Sequence, residues 1–302
     1  MKITNSLKGF FLALVSVIAV SNVYIFSKAA LSEVSLPQFG VYWFAFGLVW
    51  VLLYAWHRKS YSILKKLPLK SYLKLVFLGV VEVIGTYFFF KAIHTITNPT
   101  IVSFIGNISP VFVITLSFII LKERFNKLEL IGMLFAVFGA FIISYKGKSG
   151  FQNMFIDGAQ YILYSSMLSA MNAVIIKKNI KRIPPIILTI NRSLFLLVFS
   201  TVALLYTQQS ISISTMAFKN IFIGSLLGPF LTIIAGYLAL QYIPLSRKAI
   251  VASTKGLFVL LGSYLYFGQF PQTIALLGGL VTIIGVLLIA FGKIKLQRTK
   301  SV

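Results

Sequence analysis

The chain has 302 residues, of which 58% are hydrophobic and only 11% charged, whereas soluble domains carry about 25% charged residues. That composition excludes a soluble enzyme or a large soluble domain. The formal charge of +23 would suggest nucleic acid in a soluble protein, but here the lysines and arginines stand in short stretches between apolar runs, which points to topology and anionic headgroups rather than nucleic acid. The absence of cysteine excludes disulfides, thiolate metal sites and thiol nucleophiles.

Apolar runs of roughly the length needed to cross a ~30 Å hydrocarbon core follow one another along the chain. They predict ten helices at about 8–30, 37–56, 72–93, 99–121, 128–145, 158–176, 184–206, 217–240, 245–267 and 272–292. Pro37, Pro99, Pro184, Pro244 and Pro271 fall at or near starts, where a missing N–H is harmless. The first run is too long for a signal-peptide core and lacks a convincing cleavage site, so it is read as a span. The Lys and Arg residues divide 21 to 5 between the two sides, with Lys28, Lys91, Lys146, Lys148 and Lys219 on the poorer one. This predicts both termini in the cytoplasm of a bacterial inner membrane. Lys122, Glu123 and Arg124 read as a cytoplasmic cap and charge cluster.

The two halves resemble each other. Ser16, Asn22 and Lys28 recur 150 residues later as Ser166, Asn172 and Lys178, and Gly132 and Gly139 recur 146 residues later as Gly278 and Gly285. Five spans per half is an odd number, so the halves, 1–146 and 147–302, would enter the membrane from opposite sides. Such inverted repeats suit a transporter that opens alternately to either face.

These residues also carry a family resemblance. The segment Ser21 to Lys28, with Asn22 followed six residues later by Lys28, resembles the first helix of EamA-type transporters of the drug/metabolite transporter superfamily. Asn98-Pro99 through Ser109-Pro110, Leu121-Lys122-Glu123 and Ile131-Gly132 resemble the end of an EamA repeat, and Pro185 through Arg192 the start of its second helix. The resemblance implies an all-α membrane protein of ten helices in two inverted five-helix repeats, around a cavity lined mainly by helices 1, 3, 4, 6, 8 and 9. It departs from the family pattern at Val20-Ser21 in place of Trp-Gly, at Gln269 in place of the second Glu, and at Gly256 in place of the second Pro.

A charge at mid-bilayer costs at least about 2.5–3.5 kcal/mol, so it persists where it is paired or faces water or substrate. Glu82, Lys255 and Arg192 are such charges. Glu82 could bind a proton or a substrate ammonium, or pair with Lys255 or another cation. Lys255 could take a carboxylate or phosphate. Arg192 reads as structural, bonding carbonyls or snorkelling toward the interface. Asn22 and Asn172 occupy matching places and read equally as interhelical glue or cavity lining. Tyr161, Ser165, Leu168, Ser169 and Asn172 share one face of the sixth span, a polar stripe that lipid would not cover. Ser103, Asn107 and Pro110 share a face of the fourth, where Pro110 frees a carbonyl and forms a candidate hinge. Gly256 is a second candidate hinge or a point of close helix approach. Tyr87, Trp43 and Tyr264 could stack on a ring or cation. His94 could sense pH, but reads more simply as a solvated side chain.

No Walker loop, HExxH cluster or GxSxG elbow appears, so primary ATP-driven pumping by this chain, metal hydrolysis and other enzymatic chemistry are not indicated, and no cofactor is expected. The reading is a secondary transporter of a small polar metabolite. Glu82 with Lys255 favours an amino acid or derivative, with export the favoured direction. Substrate contacts would be Glu82, Lys255, Asn107, Ser103, Asn22, Asn172 and Tyr87, with Pro110 and Gly256 as hinges. The alternatives are an uptake carrier or exchanger, for instance for S-adenosylmethionine, a multidrug exporter, and a non-transporting assembly subunit. The expected partners are a small-molecule substrate, the bilayer and protons, in a monomer or homodimer.

Overall fold

A computed structural model describes residues 5–57, 68–121, 126–145 and 156–299. Lys122, Glu123 and Arg124, like most of the basic second loop, lie outside these residues. The described elements are helices. They run α1 (Asn5–Leu31), α2 (Leu36–His57), α3 (Leu69–Thr95), α4 (Pro99–Ile105), α5 (Ser109–Leu121), α6 (Lys127–Ser144), α7 (Ala159–Asn179), α8 (Pro185–Tyr206), α9 (Thr215–Ser225), α10 (Ile233–Tyr242), α11 (Leu245–Ser253), α12 (Lys255–Phe267) and α13 (Thr273–Thr299). Helices satisfy every backbone polar group within the segment, which hydrocarbon demands. Seven helical runs are long and apolar enough to cross a membrane, and three shorter apolar helices, Leu130–Ile143, Lys255–Phe267 and Thr273–Gly285, lie where the other three spans are expected.

Local chemistry sets several of the ends. Asn98 caps α4 by accepting from the Thr100 N–H at 2.9 Å, with Pro99 in the first turn. Ser214 caps α9 by accepting from the Ala217 N–H at 3.0 Å. Gly268, at φ +64°, closes α12 in the left-handed conformation that glycine adopts without steric cost. Three spans are interrupted inside the bundle. A short 3₁₀ turn, Gly106–Ile108, separates α4 from α5. A π-helical stretch with Pro229, Leu226–Thr232, separates α9 from α10. Thr254 separates α11 from α12.

The interior is a largely apolar core that also buries polar side chains, while the outside is apolar too. Large apolar side chains such as Phe11, Leu205 and Leu265 are more than half exposed on the outside, while Ser27, Asn107, Thr189, Ser193 and Ser225 are fully buried. Helix pairs form across the chain: α1 with α10, α3 with α7, α2 with α8, α4 with α12, and α6 with α13. The last pair crosses at glycines. A Cβ on Gly139 would lie 2.6 Å from the Gly278 carbonyl oxygen, and one on Gly285 would lie 2.6 Å from that of Gly132. The two backbones therefore approach as closely as glycine allows, and they run antiparallel.

Two lysines tie helix ends together. Lys28, at the end of α1, donates to the carbonyls of Ile93, His94 and Ile96 at 2.9, 3.1 and 2.8 Å, just where α3 finishes. Lys177, near the end of α7, donates to the carbonyls of Leu240 and Ile243 at 2.6 and 2.9 Å, where α10 finishes. The counterpart of Lys28 in contacts is thus Lys177, not Lys178. Lys178 is exposed, because the helical phase at the end of α7 points its neighbour at the carbonyls instead.

Candidate functional site

A cavity of about 310 Å³ begins at midspan and runs toward the end of the bundle where α7 and α10 finish and α11 begins. Its upper limit is the 3₁₀ turn after α4 and the α11–α12 junction, the two places where Asn107 and Lys255 stand. Beyond that point rings pack against one another, and a separate hollow of about 400 Å³ lies between α4, α6 and the start of α7. Tyr24 meets Phe89 edge to face at 5.1 Å, and Phe104 lies over Gly256 and Gly279.

Glu82 lies in the wall, and its carboxylate accepts from Arg192 Nε at 3.0 Å. Arg192 also donates to Thr86 Oγ1 at 3.0 Å, and the Thr86 hydroxyl donates onward to Glu82 at 3.4 Å. Of the alternatives for Glu82, the geometry favours a pair with another cation than Lys255: the Arg192 guanidinium on α8 forks across a carboxylate and a hydroxyl in a way a single ammonium cannot. Arg192 is correspondingly part of the cavity wall rather than a peripheral support.

Lys255 projects into the cavity against Gly106, where a Cβ would be 3.4 Å from Nζ, and its ammonium lies 5.9 Å from the Tyr24 ring centre. Asn107 is fully buried, and neither atom of its amide has a hydrogen-bond partner. Asn172 donates to the Leu78 carbonyl at 3.4 Å and leaves its own Oδ1 unpartnered. Pro110, Ser165 and Ser169 complete this part of the wall, so three residues of the sixth-span stripe face the cavity. Of the other two, Leu168 packs on Gly85, and Tyr161 lies under the Lys91 ammonium at 4.5 Å.

Four expected site residues stand elsewhere. Asn22 donates back to the Ile18 carbonyl of its own helix, and its neighbour Ser21 bonds the Lys255 carbonyl instead. Ser103 donates to the Thr100 carbonyl one turn earlier. Tyr87 borders a small apolar hollow of about 80 Å³ between α2, α3 and α8, and shares Lys91 with Tyr161. Gly256 is a packing point: its missing Cβ makes room for the Phe104 ring, 2.7 Å from where that Cβ would stand. Among the lining residues that were not anticipated, Lys248 and Tyr237 carry polar groups. Lys248 reads from sequence as part of a basic loop, yet it lines the cavity with its ammonium 6.0 Å from the Tyr237 ring. The signal was its spacing, seven residues before Lys255 and so on the same helical face.

The EamA-like transporter family model matches this chain twice, over residues 7–145 and 157–291. The chain belongs to the EamA-like transporter family. It is a multi-pass membrane protein and a transporter. A protein of Synechocystis sp. (strain ATCC 27184 / PCC 6803 / Kazusa), named uncharacterized transporter sll1164, is 24% identical over 241 residues, 68% of each chain. A solved crystal structure superposes with a TM-score of 0.69 over 96% of this chain and 99% of its own, at 13% identity, a likeness of fold alone.

Proposed function

We propose that this EamA-like protein is a secondary transporter that moves a small polar metabolite across a bacterial inner membrane by alternating access. The carrying observation is the polar cavity at midspan, ringed by α1, α3, α5, α7, α8, α10 and the α11–α12 junction and open toward one end of the bundle. Two inverted five-helix halves, 1–146 and 147–302, account for contacts that are otherwise coincidences. α1 against α10 mirrors α7 against α3. Lys28 on the end of α3 mirrors Lys177 on the end of α10. The Gly139–Gly278 crossing mirrors Gly285–Gly132. With both termini in the cytoplasm, the mouth faces the cytoplasm, so the substrate loads from there and export is the direction favoured.

An amino acid or derivative is a fitting size, with its carboxylate at Lys255. Glu82 is already paired with Arg192, so a substrate of net positive charge, S-adenosylmethionine or a lipophilic cation, meets two free cations and no free carboxylate among the described lining residues, which weighs against both alternatives more than against a zwitterion with its carboxylate at Lys255. An assembly subunit with no cargo would have no use for unpartnered amides and ammoniums in a hydrocarbon setting.

The test is counterflow in proteoliposomes with a pool of labelled amino acids, amino-acid derivatives, nucleosides and organic acids. Saturable exchange of one compound supports the reading. Well-folded protein that exchanges none of them, at any pH gradient, removes it.

A further inference from the structure

We infer that the cavity recognises its cargo through an anionic group, a carboxylate or phosphate, seated between the Lys255 ammonium and the Asn107 amide, with Lys248 as a second cation nearer the mouth. The inference deepens the transporter reading and rests on it for the meaning of the site, not for its chemistry. Four charged side chains line the cavity: Arg192, Lys248 and Lys255 against Glu82. Arg192 and Glu82 neutralise each other at 3.0 Å. What remains is two ammoniums facing a space held at membrane depth, a strongly anion-favouring field, because low-dielectric walls weaken screening.

Asn107 supplies the second observation. A buried primary amide with two bare hydrogen-bonding ends is costly, and native proteins keep few of them. Its Nδ2 offers two N–H donors beside the Gly106 position that abuts Lys255 Nζ. An ammonium and an amide brought onto one oxygen pair bind an oxyanion as charge-assisted donors, and Asn107, a wall residue whose amide is buried, would turn into the cavity to join Lys255. They stand at two of the three interrupted spans, α4–α5 and α11–α12, one from each half of the chain. Rocking of the halves would thus grip the anionic group from both sides.

The experiment is equilibrium binding to purified protein in nanodiscs, separate from transport. The probes are glutarate, glycerol 3-phosphate, glycine betaine and lysine methyl ester. Saturable binding of glutarate or glycerol 3-phosphate, weakened roughly 10- to 100-fold by Lys255→Met as loss of one charge-assisted hydrogen bond implies, and largely retained in Lys255→Arg, supports the site. Asn107→Asp should repel both anions. Preference for glutarate assigns a carboxylate and preference for glycerol 3-phosphate a phosphate ester. Binding of lysine methyl ester with no binding of glutarate, glycerol 3-phosphate or betaine, no binding of any carboxylate or phosphate probe at millimolar concentration, or binding of those probes indifferent to both Lys255→Met and Asn107→Asp, overturns it. Anion binding without counterflow of any anion would leave the site standing and defeat the transporter reading. Counterflow of a cation would do the reverse.

Discussion

A carboxylate already held by a guanidinium and a hydroxyl has little left to offer a substrate, and this fixes how Glu82 should respond to substitution. Removing one partner of a partly buried pair strands the other, so Arg192→Met should cost about 3 kcal/mol, while the Glu82→Gln/Arg192→Met double variant should recover most of that loss. Thermal melting in detergent of both single variants and the double reads the cycle, and a double-variant loss equal to the sum of the two single losses would show that the two charges are not coupled. Asn107→Leu should behave oppositely. It removes two unpartnered polar atoms, so the melting temperature should rise by a few degrees while transport disappears, the trade-off expected where a site is held ready at a stability cost. At this scale the sequence made visible what hydrocarbon penalises: Glu82, Lys255, Asn107, Asn172 and Pro110 stood out as polar or helix-breaking in apolar runs, and all five line the cavity. It could not show which neighbour covers a polar face. Asn22 and Ser103 satisfy themselves on their own backbones, a local solution that leaves no trace in spacing. Lys248 was hidden because it stands in the first turn of its predicted span, where a lysine counts as a flanking charge that sets orientation rather than as cavity lining.

Span boundaries were legible to within a few residues, because the bilayer enforces length and the ends carry proline or capping residues. The interruptions were only partly so. Pro110 announces the break after α4, whereas the π-helical stretch around Pro229 depends on how its neighbours fill the space: Gly47 closes on the Pro229 ring, and Ser16 donates to the Thr232 carbonyl at 2.8 Å. The glycine pairs of α6 and α13 were visible as a repeat, but their meeting was not. Their backbone contact makes a sharp prediction. Gly139→Val would push a side chain into the Gly278 carbonyl, with no flexible atom to give way, and overpacking of this kind costs about 1–3 kcal/mol. The same change at Gly268, where no atom lies within 4 Å of the added Cβ, meets no such contact, and its penalty comes from the left-handed backbone alone. Melting curves of the two variants separate packing from conformation, and an unperturbed Gly139→Val protein would contradict the close crossing.

As a whole, the molecule is tied at both ends by a lysine that gathers helix-end carbonyls, Lys28 where α3 finishes and Lys177 where α10 finishes. The chain has no cysteine, so a single introduced thiol reports without background. Ser169→Cys, on the cavity wall, should react with a membrane-impermeant maleimide from the cytoplasmic face and be protected by cargo. Reaction solely from the outer face would reverse the orientation or the state. The two ammoniums left uncompensated in the empty cavity have an electrical consequence. Under an inside-negative membrane potential, positive charge is most stable facing the cytoplasm, by up to about 2.3 kcal/mol per charge per 100 mV for a charge that senses the full field. On the alternating-access reading proposed above, the unloaded carrier would rest facing inward, and a dianion in the cavity would cancel the charge that holds it there. Delivery would pass almost silently in an electrical recording, and the current would belong to the empty return.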